Sequence, residues 1–281
     1  MKKTNAQTLA AHLTDDLGIQ PSDTIFLFSG VWGLGKLENG LDDITDAFRL
    51  AIPQGLLLIP TFSYTWCSGE TWDPAITPCP DMGVYADHAW RGADFVRTDN
   101  PNFSVTALRT AHNAALIDTL FQVDDDCFGE HSIFGNLVRH SRTNPRTFVL
   151  LLGGAFKDCL FRCTFIHYAQ QRLKVPNRFI KPFPDPAGSG RVVTQLVRMN
   201  TAEEYVQTHG QQPPADMPFP AYEDFGPYGP SLEKAGALIR APFRFYESRM
   251  APVAESVDIF EAEWRADPSY CMAKPTPEAT E

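Results

Sequence analysis

Apolar residues recur at every fourth position through Leu9, Leu13 and Leu17, and Gly18 follows directly. That spacing lines one face of a helix, opened by Thr4 or Asn5 and stopped by the glycine. After a Pro21-Ser22-Asp23 turn the pattern changes: residues 24–28 form an unbroken apolar run. Residues 55–60 and 147–152 are of the same kind, the latter followed by Gly153 and Gly154. A strand apolar on both faces is covered on both. A second helix is expected over residues 41–51, ended by Pro53. Strands of this type alternating with helices predict an α/β fold with a mixed, largely parallel sheet covered by helices.

Two stretches, 64–92 and 211–230, are rich in proline and aromatic residues. Loops of that length line sites, act as lids or are disordered, and their aromatic content argues against disorder. The chain has 281 residues, enough for one large domain, expected over 1–273, with 274–281 as a flexible tail. A net charge of −10 gives no basic footprint for nucleic acid. The chain opens without a secretory apolar segment, and no run approaches the roughly 20 apolar residues of a membrane span. Six scattered cysteines then read as free thiols in a reducing cytoplasm. The oligomeric state is open, with a homodimer compatible.

Four segments carry candidate chemistry. In Thr164-Phe165-Ile166-His167, a hydroxyl that caps a helix would place an imidazole on its first turn, near the sheet edge where α/β sites lie. Such a histidine can serve as a general base, or simply fill space under a loop. Cys159, Cys163 and His167 share an i, i+4, i+8 spacing that would suit a metal or a Cys–His pair; ordinary buried thiols are the simpler account, and no metal is expected. Glu130, His131 and Ser132 form either a recognition turn or a plain helix start capped by Ser132. The glycine-rich segment 28–36 follows a strand and could cradle phosphate or amide oxygens, but it matches neither nucleotide fingerprint.

Taken in order, these pieces resemble the aminoglycoside 3-N-acetyltransferase family across roughly residues 5–270. The matching segments are Phe28-Ser29-Gly30; Gly55 to Phe62, similar to its GTLLMPT segment; and Trp72-Asp73-Pro74, similar to FDP. Arg97 to Pro101 with Ser104 resembles RSxHPxxS, and Phe128 to Ser132 resembles GEGSP. Leu150 to Gly153 resembles LLLG, and Thr164 to Gln170 resembles TxLHxAE, with Pro176-Asn177-Arg178 just beyond.

The resemblance implies acetyl transfer from acetyl-CoA to a primary amine of an amino sugar or aminoglycoside-like molecule, with His167 as base. It also implies a carboxylate from a later segment orienting His167; Glu203, Glu204 and Asp224 are the candidates. Ser29, Gly30, Val31, Asn100 and Ser104 fall where the family holds the pantetheine arm and thioester. Lys36, Arg91 and Arg97 are candidate phosphate partners, while Asp73, Glu130 and Thr164 fall toward the amine. The sequence departs from the family pattern at Phe28 and Gly30, at Asn100 in place of a histidine, and at Gln170 in place of a glutamate. These departures leave open a different acceptor, such as a hydroxyl or a phosphonate-linked amine, or a relative that binds without turnover.

Overall fold

A computed structural model describes residues 3–154 and 165–273 of the chain. β1 (Lys3–Thr4) leads into α1 (Ala6–Ala11), where the Asn5 side chain accepts the Thr8 N–H at 2.9 Å. The helix widens into a π turn over His12–Asp16 and stops at Gly18, which has a φ of +70°. β2 (Thr24–Ser29), a 3-10 turn at Val31–Leu34 and β3 (Lys36–Leu37) come next, and β3 pairs in parallel with β1. α2 (Asp42–Ala51) and β4 (Leu56–Pro60) follow. The long loop after β4 contains α3 (Val84–Ala89) and ends at β5 (Phe95–Arg97) and β6 (Val105–Leu108). α4 (Ala114–Leu120), α5 (Ile133–Thr143), β7 (Thr147–Leu152) and α6 (Phe165–Leu173) come next. The C-terminal part comprises the hairpin β8 (Arg178–Pro184) and β9 (Val192–Arg198), then α7 (Ala202–His209), α8 (Tyr228–Lys234), β10 (Ile239–Phe243), β11 (Tyr246–Pro252) and α9 (Val253–Ala266).

Seven strands form one mixed sheet in the order β10-β11-β7-β2-β4-β6-β5. The sheet is parallel only at its centre, where β2 pairs with β4 and β7. Its flanks are antiparallel, which corrects the expected proportion of parallel strands. At the β10 edge the reason is connection length: only Arg244 and Phe245 separate β10 from β11, and so short a turn admits only a hairpin.

Alternation along the central strands splits the interior into two cores. Phe26, Phe28, Leu56, Leu58, Val149 and Leu151 face one way, packed under α4, α5, α6, α8 and α9. Ile25, Leu27, Leu57, Ile59, Leu150 and Leu152 face the other, under α1, α2 and α3. This two-sided burial accounts for the continuous apolar runs. At the carboxyl ends of β2 and β7 the backbones meet closely: a Cβ on Gly33 would collide with the Gly153 carbonyl oxygen. Gly153 and Gly154 hold φ values of +71° and +75°, open to glycine at little cost. This edge, where β4 and β7 flank β2 on opposite sides, is where open α/β sheets hold their ligands.

Candidate active site

α6 follows β7 and lies on the Phe26 face, with the Phe165 ring 5.3 Å from Phe26 and 5.7 Å from Phe134. His167 sits on its first turn and is 8% exposed. Its ring meets Phe128 in a T-shaped contact, with centroids 5.2 Å apart at 83°. Nδ1 lies 2.7 Å from Gln170 Oε1, three residues along the same helix. Among the described residues, no hydrogen bond reaches Nε2. Gln170 Nε2 in turn donates to Glu223 Oε1 at 2.7 Å.

Glu223 is held by Arg178, whose Nε donates to Oε1 at 2.5 Å while NH2 donates to Oε2. The two side chains are 7% and 9% exposed, and Asn177 Nδ2 adds a longer contact to Oε1 at 3.4 Å. Burial alone would raise the Glu223 carboxyl, but the hydrogen bonds and charge of Arg178 hold it below its ordinary range. Burial, joined by the Arg178 charge, pushes His167 down to about 3 against the opposing pull of Glu223 and Gln170. The imidazole is therefore neutral at physiological pH.

Of the carboxylates expected to orient His167, Glu204 and Asp224 are occupied locally. Glu204 accepts the Asn200 N–H at 2.6 Å and gives its own N–H to Thr201 Oγ, closing the α7 cap. Asp224 is exposed and accepts the Gly226 N–H at 2.8 Å. Glu203 accepts from Gln207 on the same helix. The carboxylate linked to His167 is Glu223, one position before Asp224. The sequence offered Arg178 only as part of the Pro176-Asn177-Arg178 segment, and nothing local marked Glu223.

The expected donor-side residues are arranged differently from one another. Ser29 ends β2, and the Gly30 N–H is committed to the Leu152 carbonyl at 2.7 Å, so it is not a free donor for an oxyanion. Val31 begins the 3-10 turn beside it, and Lys36 is exposed on β3. Asn100 Oδ1 accepts the Asn102 and Phe103 amides while Nδ2 approaches Cys127 Sγ at 3.6 Å, closing a turn instead of presenting a donor. Ser104 is fully buried and donates to the Thr61 carbonyl at 2.6 Å.

The Arg97 side chain is tied internally. It donates to Thr61 Oγ, Ser104 Oγ and the carbonyls of Thr77 and Thr61, and it stacks on Trp72 and Trp90. Arg91 pairs with Asp87. Asp73 is exposed and caps its own turn through the Ala75 N–H. Glu130 is tied to the helix that carries His167, accepting from Tyr168 Oη at 3.0 Å and pairing with Arg172. Ser132 caps α5, as one of the two sequence readings has it. Thr164, Cys159 and Cys163 lie outside the described residues, as does the tail 274–281. Cys67, Cys79 and Cys127 are free thiols. Among the described residues, no helix is long and apolar enough to cross a membrane.

Cavities open at two places among the described residues. One of about 430 Å³ lies beside Gly154 and Tyr246 at the end of β7. One of about 410 Å³ lies between Pro176, Met217 and Met272, against the loop that carries Glu223. His167 lines neither.

The architecture is shared with solved acetyltransferases. Aminoglycoside acetyltransferase AAC(3)-IVa, as the apoenzyme, superposes with a TM-score of 0.74 at 20% identity, over 98% of this chain and 94% of that one. A mutant of that enzyme in complex with gentamicin gives a TM-score of 0.70 at 20% identity, over 98% and 93%. AAC-IIIb with CoASH gives 0.68 at 21% identity, over 98% and 100%. In sequence, aminoglycoside N(3)-acetyltransferase IV of Salmonella sp. is 33% identical over 88 residues, 31% of this chain. That match spans 33% of the relative's length. The aminoglycoside 3-N-acetyltransferase family matches residues 27–264, and this chain belongs to it.

Proposed function

We propose that the protein transfers an acetyl group from acetyl-CoA to a primary amine of an amino sugar or aminoglycoside-like molecule, with His167 as general base. One observation carries the role of His167: Nδ1 is held by Gln170, while Nε2 has no partner among the described residues. Family membership and the relatives with CoASH and with gentamicin support the donor and the acceptor class. Acetyl-CoA supply places the activity in the cytoplasm, and the residues implicated need no metal.

A primary ammonium must shed a proton before it attacks a thioester. An amine on an electron-withdrawing sugar ionises near the α-amino value of about 8, so a useful fraction is free near neutrality. Its nitrogen attacks the thioester carbon and forms the N–C bond as Nε2 of His167 takes the amine proton. The C–S bond then breaks, and sulfur leaves as a thiolate whose conjugate acid has a pKa of about 8.5, so strong acid assistance is unnecessary. Transfer is direct in a ternary complex, yielding the acetamide and CoA.

His167→Ala is expected to keep the fold and to lose transfer by at least about a hundredfold, as removal of a general base does. Thiol release from acetyl-CoA across a panel of amines measures this. Near-normal turnover of the variant would remove His167 from the mechanism. A wild type inert toward every amine would remove acetyl transfer itself.

A further inference from the structure

We propose that Gln170, Glu223 and Arg178 form a positioning relay that fixes His167 as the tautomer protonated at Nδ1, by orienting an amide instead of setting a charge against the ring. The inference rests on the reading of His167 as the base, because the relay matters to chemistry only if Nε2 must be bare.

The direction of the relay is set at the guanidinium. Arg178 only donates, and it holds both oxygens of Glu223 in a buried pair. A carboxylate fixed in this way only accepts. The Gln170 atom 2.7 Å from Glu223 Oε1 must therefore be the amide nitrogen. With the nitrogen spent there, the amide oxygen faces His167, 2.7 Å from Nδ1. An amide oxygen also only accepts, so the hydrogen between them belongs to Nδ1, and Nε2 carries a lone pair. Reversing the amide would set its oxygen against the carboxylate, a buried acceptor–acceptor mismatch that no change of the imidazole tautomer relieves.

The same arrangement serves both protonation states of the ring. When Nε2 takes the amine proton, the Nδ1 hydrogen still points at the Gln170 oxygen, so no proton moves along the relay. A glutamate at 170, the residue the resemblance expects, would place a negative charge directly on the imidazole. Here the charge stands one amide away and is already paired with Arg178. Gln170 and Glu223 thus separate two tasks, holding the tautomer and stabilising the imidazolium, and the relay performs the first.

The test reads the tautomer directly. In protein labelled with ¹⁵N at histidine, long-range ¹H–¹⁵N correlation spectra distinguish a protonated from a bare ring nitrogen, and His167→Gln assigns the signal. The wild type should show Nδ1 protonated and Nε2 bare at neutral pH. Gln170→Met removes the acceptor of the Nδ1 hydrogen yet leaves the Glu223–Arg178 pair whole. It should shift the tautomer and lower kcat by tenfold or more, with KM for acetyl-CoA changed less than threefold. Glu223→Gln, which can present either amide end to Gln170, should give mixed tautomers. Wild-type His167 protonated at Nε2, or a tautomer unchanged in both Gln170→Met and Glu223→Gln, overturns the relay. Because the spectrum needs no turnover, it decides the relay even if no amine is acetylated, and that second result would count against the proposed function alone.

Discussion

Burial is the largest influence on His167, and the Arg178 charge acts in the same direction. The sign of the resulting pH dependence follows from the role. In the proposed role a general base works unprotonated, and a pKa lowered to about 3 leaves His167 unprotonated from neutral pH well into acid while making it a weaker proton acceptor. The acid limb of kcat/KM should then belong to the acceptor amine. It should climb one log unit per pH unit up to that amine's own pKa and shift as the amine is changed. An inflection near 6.5 that stays fixed across amines would contradict this. Stability carries the same linkage: the unfolded chain protonates His167 near 6.5 while the folded chain resists until about 3. Folding stability from this residue is complete above 6.5 and is lost as pH falls below it, by up to about 1.4 kcal/mol per unit.

The N-terminal helix is fastened to the sheet by a polar clasp. His12 is 2% exposed; its Nδ1 lies 2.8 Å from Asp16 and its Nε2 lies 2.9 Å from Ser248 Oγ on β11. Its ring stacks on Phe243 of β10 with centroids 4.4 Å apart. Ser248 is fully buried, so this Asp–His–Ser line holds structure and admits no substrate. Burial outweighs Asp16 and lowers the His12 pKa. His12→Ala should strip a stacked ring and strand a buried hydroxyl, costing about 2–4 kcal/mol by denaturant unfolding, while acetyl transfer at a permissive temperature stays near wild type. A loss of transfer without a loss of stability would reassign the clasp.

Legibility at the level of elements followed the same physics. β2, β4 and β7 were readable because burial on both faces leaves each an unbroken apolar run, and the α1 cap was readable because Asn5 precedes a spaced leucine series. The short or proline-bearing strands were not readable: β5 and β6 span three and four residues, and β8 carries Pro182 and Pro184. At the site, His167 stood out beside its helix start. Glu223 did not, because it meets Gln170 across 53 positions from within an irregular loop. Proximity of that kind arises from tertiary packing and leaves no local trace.

Across the whole molecule, the loop after β4 must be fixed before the site edge has a shape, and Arg97 does much of that. Its guanidinium stands at the end of β5, at the sheet margin, and binds the Thr61 and Thr77 carbonyls on both sides of the loop. It also lies over the indoles of both Trp72 and Trp90, at 4.6 and 5.0 Å from their centroids. Burial lowers its pKa to about 10, still far above neutrality, so it remains a cation within this enclosure. A lysine keeps the charge but cannot reproduce the planar fork or the double stack. Arg97→Lys should therefore lower the unfolding free energy by about 2–3 kcal/mol, visible as a fall of several degrees in Tm. If Arg97 held a CoA phosphate, the charge-preserving change would instead weaken acetyl-CoA binding with little effect on Tm. Calorimetry of acetyl-CoA binding below the variant's Tm separates the two, and a Kd within threefold of wild type is the outcome that a staple requires.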